Sequence, residues 1–304
     1  MNKNVLITGG SGLIGKRLTD LLLQRGYRVV HLSRRAGAGK IKTYLWDVKH
    51  QTIDPDALGN IDVIIHLAGA GIGDKRWTKK RKSEILTSRT ASASLLYNAL
   101  KKEKQSVKTF ISASGISFYG LEDHGSPFKE DNHQATGFLS DVVSHWEKAA
   151  DEVATLGIRV VKIRTGIVLS EKGGVLPTMM LPFKFYVGAQ LGTGIQPLSW
   201  IHLDDLCCIY IKAIEDPTMV GVYNAVAPNP VTNKKFTKAL AAAMGKPVIL
   251  PPVPPFVIRL LLGEMADLAL KGITVSADKI LSSGFQFTFN TVEEALKDLL
   301  PNNR

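Results

Sequence analysis

The sequence predicts an α/β fold built on a doubly wound parallel sheet. Short runs rich in Val, Ile and Leu alternate with segments whose apolar residues recur at helical spacing up to Leu169. The run at residues 61–67 places apolar residues at consecutive positions, as expected of a strand covered on both faces. This alternation is typical of right-handed βαβ units, so we expect helices on both faces of the sheet.

The individual elements follow from local patterns. Leu13, Ile14, Leu18 and Leu22 recur at helical spacing, and Gly26 ends that helix. Apolar, β-branched runs predict strands at residues 5–8, 27–33, 43–47, 61–67, 107–112 and 159–169. Between the later strands, helices are predicted at about residues 80–102 and 138–156.

The pattern changes after Leu169. Half of the 14 prolines lie between residues 228 and 255, a stretch that cannot be regular throughout. Helices are predicted at residues 204–215, 239–244, 256–269 and 292–300, the first of them capped by Asp204 and Asp205. We therefore assign residues 1–170, with 195–225 returning to them, to a sheet domain. Residues 171–194 and 226–304 form a smaller, mostly helical C-terminal region.

The composition excludes several classes of protein. The two cysteines, Cys207 and Cys208, are adjacent within an apolar stretch, which predicts buried free thiols and a reducing compartment. No run reaches the roughly 18 apolar residues of a membrane span, and the residues before the first strand lead us to expect no signal peptide. We expect a cytoplasmic chain with no membrane partner. The seven histidines show no paired metal-ligand spacing, so no metal site is predicted.

The strongest chemical signal is a glycine turn between the first strand and the first helix. Gly9, Gly12 and Gly15 form G-x-x-G-x-x-G. Gly9 permits the tight turn, Gly12 lets a pyrophosphate approach the backbone, and Gly15 lets helix and strand pack closely. The site comprises this turn and the amides that open the helix: Gly9, Ser11, Gly12, Leu13, Ile14 and Gly15. A Rossmann-type dinucleotide-binding domain is therefore predicted, and a merely structural glycine turn is the alternative.

The residues at the end of the second strand indicate which dinucleotide the domain binds. A ribose 2′-hydroxyl is recognised by an acidic side chain about 20 residues after the glycines. Here the chain has Ser33, Arg34 and Arg35. Two guanidinium groups suit a 2′-phosphate, which favours NADP(H) over NAD(H). Arginines that only decorate an exposed loop are the alternative.

Further motifs resemble the extended short-chain dehydrogenase/reductase superfamily, with its nucleotide-sugar epimerases and dehydratases. His66-Leu67-Ala68-Gly69 resembles the motif of its fourth strand, and Trp46-Asp47 occupies the place of its adenine contact. Ser112 to Ser114, followed by Phe118-Tyr119-Gly120, resembles its serine-bearing strand, and residues 200–205 resemble its late Ile-His-Val-Asp-Asp motif.

Closer similarity is to the epimerase-family branch with a C-terminal domain of unknown function. It is carried by Arg76-Trp77-Thr78, Ser88-Arg89, residues 224–232, residues 251–265 and Gly284-Phe285-Gln286-Phe287.

The resemblance implies the remaining site residues. Cofactor contacts are expected from Trp46, Asp47, Leu67, Ala68, Gly69 and Ser112. Ser114 and Tyr119 are the candidate catalytic groups, with packing as the alternative for Tyr119. Arg89 and Arg164 are candidate phosphate contacts, with structural ion pairing as the alternative. The implied substrate is a nucleotide sugar or another polar carbonyl or alcohol.

The superfamily's proton donor, a tyrosine four residues before a lysine, is not found after the serine strand. By spacing from Tyr119, its two positions hold Leu139 and Val143. The prediction is therefore an NADP(H)-binding oxidoreductase or epimerase-like enzyme with an atypical active site. A cofactor-binding sensor or regulator without turnover is the alternative.

Charge suggests a third, weaker hypothesis. The chain carries 38 Lys and Arg against 27 Asp and Glu, a net charge of +11, and residues 75–108 hold a large share of the excess. Such a run binds nucleic acid or simply covers a solvated helix. Because no RNA-binding motif accompanies it, we expect no nucleic-acid partner. A homo-oligomer is compatible with the sequence.

Overall fold

The computed structural model describes residues 3–37, 39–102 and 106–300. Its strands are β1 (Asn4–Thr8), β2 (Arg28–Ser33), β3 (Thr43–Asp47), β4 (Thr52–Ile53), β5 (Val63–His66), β6 (Thr109–Gly115), β7 (Arg159–Thr165), β8 (Ile167–Leu169), β9 (Pro197–Leu198), β10 (Trp200–His202), β11 (Gly221–Ala225) and β12 (Val231–Thr232). Its helices are α1 (Leu13–Gln24), α2 (Lys79–Lys102), α3 (Phe138–Asp151), α4 (Leu176–Lys184), α5 (Leu203–Glu215), α6 (Asn233–Ala243), α7 (Pro255–Leu262), α8 (Asp267–Leu270), α9 (Asp278–Ser282) and α10 (Val292–Leu299).

The main sheet is Rossmann-like, as predicted. Its eight strands run in the order β11-β7-β6-β5-β1-β2-β3-β4, and only the β3–β4 pair is antiparallel. The chain order reverses on either side of β1. In such sheets the crevice outside the carboxyl ends of the strands at this reversal is the usual ligand site.

Two apolar layers cover the sheet because side chains alternate between the faces of a strand. Val5 and Ile7 of β1 pack on one face with α1 and α5. Leu6 packs on the other face with the apolar residues of α2 and the end of the α3 segment. A third cluster joins α4, α6 and α10 in the C-terminal region. Because the strands carry buried apolar side chains on both faces, helices cover the sheet on both sides.

Several predicted boundaries were wrong. The predicted strand 159–169 is two strands in different sheets, since β8 leaves β7 at Gly166 and pairs with β10. A Cβ at Gly166 would overlap the Ser199 carbonyl oxygen, which accepts the Ile167 N–H at 2.9 Å. The close approach of this second backbone forces the break.

The helical predictions also need correction. The segment 138–156 ends its α-helix at Asp151 and continues as a 3₁₀ turn, Glu152–Leu156. The segment 256–269 is interrupted at Gly263, whose φ of 60° ends α7 before the 3₁₀ turn Gly263–Ala266. The helix predicted at 239–244 begins earlier, at Asn233, where the Thr232 hydroxyl accepts the Lys235 N–H.

The predicted cap of α5 was likewise wrong. His202 caps this helix, its Nδ1 accepting the Asp204 N–H at 3.1 Å. Asp204 instead accepts two hydrogen bonds from the Arg17 guanidinium, and Asp205 accepts the N–H groups of Thr288 and Phe289. The two acidic side chains thus tie α5 to α1 and to the C-terminal region.

Two further observations concern the composition. Cys207 and Cys208 are free thiols, the first fully buried, and burial raises the pKa of the Cys207 thiol. Within the residues described, no helix combines the length and apolar character needed to cross a membrane.

Candidate functional site

The glycine turn forms the start of the site. Gly9 adopts a φ of 71° directly after β1, and its carbonyl oxygen accepts the Gly12 N–H at 3.0 Å. A Cβ at Gly15 would overlap the Gly9 carbonyl and lie 2.7 Å from Gly10 Cα, so α1 can pack on the turn only with glycine there. No side chain caps α1. The amides of its first turn, at Leu13, Ile14 and Gly15, therefore form a positively polarised helix end.

A cavity of about 1060 Å³ extends from this turn across the carboxyl ends of β1, β2, β3 and β5. The structure brings ten of the predicted residues together in its wall: Gly9, Ser11, Gly12, Ser33, Arg34, Trp46, Asp47, Leu67, Ala68 and Gly69. The cavity follows the reversal in strand order, where the fold directs ligands.

Other predicted residues lie outside the wall. Leu13 and Ile14 pack against the apolar layer below the turn, and Arg35 is exposed beyond the rim. Ser112, Arg89 and Arg164 are buried but do not line the cavity, and the Ser112 hydroxyl donates to the Ala113 carbonyl at 3.0 Å.

Sequence reasoning missed much of the opposite wall. Additional wall residues come from the end of β2, the segment after β3, the loop after β5 and one face of α2: Leu32, Val48, Lys49, Gln51, Ala70, Gly71, Asp74, Arg81, Glu84, Thr87, Ser88, Ala91, Ser92 and Ser94. A usable signal was the segment from Thr87 to Ser94, in which every residue except Arg89 is small, since small residues let a helix approach a ligand closely.

Asp47 is predicted to contact the adenosine of the cofactor, and its carboxylate accepts several hydrogen bonds. It accepts the N–H groups of Lys49 and His50, at 2.8 and 3.0 Å, and pairs with the His50 ring at 2.7 Å. Hydrogen bonding from His50 holds the pKa of Asp47 below its usual value. Arg34, which directly follows β2, also lines the cavity.

His66 is buried beside Leu67 and Ala68, two residues of the cavity wall that we call the cavity floor. Its Nδ1 is 2.8 Å from the Thr8 hydroxyl and its Nε2 is 3.1 Å from the Ser92 hydroxyl. Burial lowers its pKa to about 4, so the ring is neutral at physiological pH. The Thr8 oxygen also accepts the N–H groups of Leu67 and Ala68, and the chain of hydrogen bonds thereby fixes the floor against α2.

Arg89 lies directly behind the Gly69–Ala70 wall. Its Nη1 donates to the carbonyl oxygens of Ala70 and Ile85, both at 3.0 Å, and its guanidinium lies over the Trp146 ring. Burial, with repulsion from Arg81, lowers its pKa to about 10. Its Nε has no hydrogen-bond partner among the described residues. A buried cation held by carbonyls and a ring remains attractive to an anion in the cavity.

The basic run is less exposed than its sequence suggests. Arg81 and Arg89 are both buried, Arg81 donates to Glu84 at 2.8 Å, and Lys82 forms an ion pair with Glu264. Lys104 lies outside the described residues. Part of the positive charge therefore serves the cavity wall and the contact with the C-terminal region.

The two candidate catalytic hydroxyls belong to one buried network. Ser114 donates to Oε1 of Glu147 at 2.6 Å, and Arg164 binds both oxygens of that carboxylate at 2.7 and 2.8 Å. Tyr119 donates to Asn224 Oδ1 and accepts from Arg164, both at 2.8 Å. Burial raises the pKa of Tyr119 to about 12, and Arg164 lies over the Phe118 ring at 3.5 Å.

The helix after the serine strand presents apolar side chains to this network. Leu139 and Val143 are buried, and a Cβ at Gly115 would lie 3.7 Å from Val143 Cγ2. His145, on the same helix, is exposed and its Nδ1 hydrogen-bonds to the Asp141 carbonyl. Within the residues described, no group of three His, Cys, Asp or Glu side chains is arranged to hold a metal.

Two protein-family models match the sequence of this chain. Residues 5–226 match the model of the NAD dependent epimerase/dehydratase family. Residues 253–299 match a domain of unknown function, DUF1731. Residues 227–252, which separate the two matches, include most of the proline-rich segment.

Individual relatives extend over the whole chain. The Epimerase family protein YfhF of Bacillus subtilis is 39% identical over 99% of each chain, and SAR0825 of Staphylococcus aureus is 36% identical over 98% of this chain and 99% of its own. The crystal structure of human epimerase family protein SDR39U1 with NADPH has a TM-score of 0.89 at 33% identity, covering 98% and 99%. A nucleoside-diphosphate sugar epimerase of Corynebacterium glutamicum has a TM-score of 0.81 at 31% identity, with 99% of this chain matching 58% of that one.

Proposed function

The chain belongs to the NAD dependent epimerase/dehydratase family, and on that premise we propose that it binds NADP(H) across the carboxyl ends of its main sheet. The observation that carries the proposal is the cavity that joins Gly9 and Gly12 at one point to Arg34 and Asp47 at another. The relative SDR39U1, solved with NADPH, supports this choice of cofactor.

The residues present fit such a cofactor. No side chain caps the N-terminus of α1, so the amides of the Gly9–Gly15 turn suit a diphosphate. Arg34 suits a 2′-phosphate because a guanidinium donates several hydrogen bonds to phosphate oxygens. Asp47 and Trp46 would contact the adenosine, and Leu67, Ala68 and Gly69 would support the dinucleotide from below. Arg89 adds a buried positive charge behind Gly69.

We propose an oxidoreductase or epimerase-like reaction on a polar carbonyl or alcohol, including nucleotide sugars. A bound nicotinamide supplies hydride transfer. The protein's part is to position the reactants and exclude water. In this chain Leu139 and Val143 contribute apolar surface where the superfamily places its tyrosine and lysine, so the proton must come from another group. Ser114 and Tyr119 lie nearby but are hydrogen-bonded to Glu147 and Asn224.

A second candidate function has one specific observation in its favour. Because both predicted catalytic hydroxyls are committed to the buried network, a cofactor-binding sensor without turnover fits the same cavity. The two candidates differ in hydride transfer. Oxidation of bound NADPH by any member of a broad carbonyl panel supports the enzyme, whereas tight binding without oxidation supports the sensor.

The cofactor proposal is tested by calorimetry with NADPH and NADH on the wild-type chain and on Arg34→Ser. We expect NADPH to bind more tightly, and Arg34→Ser to weaken NADPH roughly ten- to a hundredfold while sparing NADH, since charge-assisted hydrogen bonds are lost. Arg28→Ser, an exposed change at the start of β2, is the matched control. Equal or weaker binding of NADPH than of NADH by the wild-type chain would contradict the choice of cofactor.

A further inference from the structure

The C-terminal region carries an unusual concentration of exposed apolar side chains. On α7, Phe256 is 71% exposed, Leu260 76% and Leu261 63%, while Ile258 alone is buried. The segment after α4 adds Phe185 at 68%. We call the following set the apolar face: Leu181, Phe185, Tyr186, Val187, Val248, Ile249, Leu250, Phe256, Leu260, Leu261 and Leu262. Exposed apolar side chains in such number mark an interaction surface in most globular proteins.

The two segments of the apolar face lie side by side. Lys246 Nζ donates to the Tyr186 hydroxyl at 2.8 Å and lies over its ring at 4.0 Å. Farther along, Leu191 and Val253 form a parallel bridge, and the Gly192 N–H donates to the Val253 carbonyl at 2.9 Å. These contacts bring the chain after α4 against the chain before α7, so their exposed side chains form one surface.

The backbone beneath this surface is held in place. Arg76 Nη2 donates to the carbonyl oxygens of Leu260 and Leu261 at the end of α7. Lys82 pairs with Glu264 just after it. Because α7 is attached to the sheet domain by these contacts, its exposed side chains face outward from a fixed helix.

The charge of the surrounding residues indicates what binds to the apolar face. Residues 172–195 and 245–263, which supply the apolar face, contain no Asp or Glu, but they contain Lys172, Lys184, Lys246 and Arg259. The acidic residues that follow are engaged, since Glu264 pairs with Lys82 and Asp267 with Lys271. Two copies that met through this face would bring like charges together, which disfavours self-association. Aromatic and Leu side chains beside the exposed Lys184 and Arg259 suit the boundary of an anionic lipid surface.

We propose that the apolar face is a peripheral docking site for an anionic membrane. Phe185, Phe256 and Leu260 enter the headgroup–acyl boundary, and Lys184 and Arg259 contact the anionic headgroups. The contact is superficial and requires no spanning segment, whereas the expectation of no membrane partner rested on the lack of a long apolar run in the sequence. It is independent of the cofactor, because no residue of the apolar face lines the cavity.

The test is flotation of the full-length chain with vesicles of phosphatidylcholine alone or mixed with phosphatidylglycerol. We expect binding to the mixed vesicles that weakens with salt, and little binding to phosphatidylcholine alone. The double variant Phe256→Ser/Leu260→Ser reduces binding on the order of tenfold, as does Lys184→Glu/Arg259→Glu. Val220→Ser, 56% exposed elsewhere, and Lys101→Glu/Lys102→Glu, on the far end of α2, are matched controls with unchanged binding.

Melting temperature and NADPH affinity establish that each variant is folded. A folded wild-type chain that fails to float with anionic vesicles overturns the proposal, as does a double serine variant that floats as well as the wild type. Light scattering tests the other occupant. A dimer that Phe256→Ser/Leu260→Ser dissociates would assign the apolar face to a second copy and also overturn the proposal.

Discussion

Ser114 and Glu147 join the strand and the helix that border the expected reaction centre, through a hydrogen bond of 2.6 Å from the hydroxyl to Oε1. Both side chains are buried, and the same carboxylate binds Arg164 through two further bonds. The carboxylate therefore compensates a buried guanidinium while it orients the serine. This arrangement makes the network a structural unit whose loss should be measurable without knowledge of the substrate.

Glu147→Gln should lower the free energy of unfolding by about 3–5 kcal/mol, because it leaves the Arg164 charge buried without its counterion. Denaturant titration measures the change. Glu152→Gln, an exposed substitution in the adjoining 3₁₀ turn, should stay within about 0.5 kcal/mol of the wild type. The double variant Glu147→Gln/Arg164→Met should cost less than the two single changes together. If Glu147→Gln lowers the free energy of unfolding by less than about 1 kcal/mol, Glu147 does not act as the buried counterion of Arg164.

Tyr119→Phe should reduce stability by about 1–3 kcal/mol and leave NADPH affinity unchanged. The change leaves Asn224 Oδ1 without the hydroxyl donor and removes one acceptor from Arg164, and the hydroxyl does not line the cavity. Thermal denaturation and calorimetry check both parts, with Tyr97→Phe on α2 as the control. Should Tyr119→Phe instead abolish hydride transfer at unchanged melting temperature and cofactor affinity, Tyr119 is the proton donor predicted from the sequence.

Gly15→Ala should destabilise the chain by about 1–3 kcal/mol and weaken cofactor binding, because the added Cβ must displace the Gly9–Gly10 backbone from α1. Gly39→Ala is a matched control, since nothing lies within 4 Å of its added Cβ and its φ is not positive. Melting temperature and NADPH calorimetry on both variants give the comparison. Tight NADPH binding by Gly15→Ala would mean that the close approach of turn and helix is not needed for the site.

Stability should fall as the pH drops from about 6.5 towards 4, in part through His66. The folded chain holds the pKa of this ring at about 4, whereas an unfolded histidine titrates near 6.5. Over this interval the unfolded state binds more protons, so acid favours unfolding, by on the order of 3 kcal/mol for this group. Burial also lowers the pKa of His31 and His202, which act in the same direction.

His66→Gln isolates the His66 contribution, since the other histidines are retained. Urea unfolding at several pH values should show a flatter decline for this variant than for the wild type. His145→Gln, at an exposed position on α3, should keep the wild-type slope. An unchanged slope in His66→Gln would rule out the buried neutral ring as a source of the pH dependence.

Local patterns in the chain were sufficient for the alternating elements, the glycine turn and the family. The strand at Val63 to Ile65 and the turn at Gly9 to Gly15 follow from the conformational preferences of a few consecutive residues. Such preferences can be read directly from a sequence. The same holds for Arg34, which follows its strand by one position. These features need no knowledge of what packs against them.

Contacts between distant segments decided the rest. The break at Gly166 arises from the Ser199 backbone, and the edge strand β11 exists because it pairs with β7. Five different elements must converge to bring together Ser114, Glu147, Arg164, Tyr119 and Asn224. Likewise, one face of α2 lines the cavity only because of how that helix packs in the folded chain. Hydrogen bonding and burial at these points depend on tertiary packing, which no run of neighbouring residues encodes by itself.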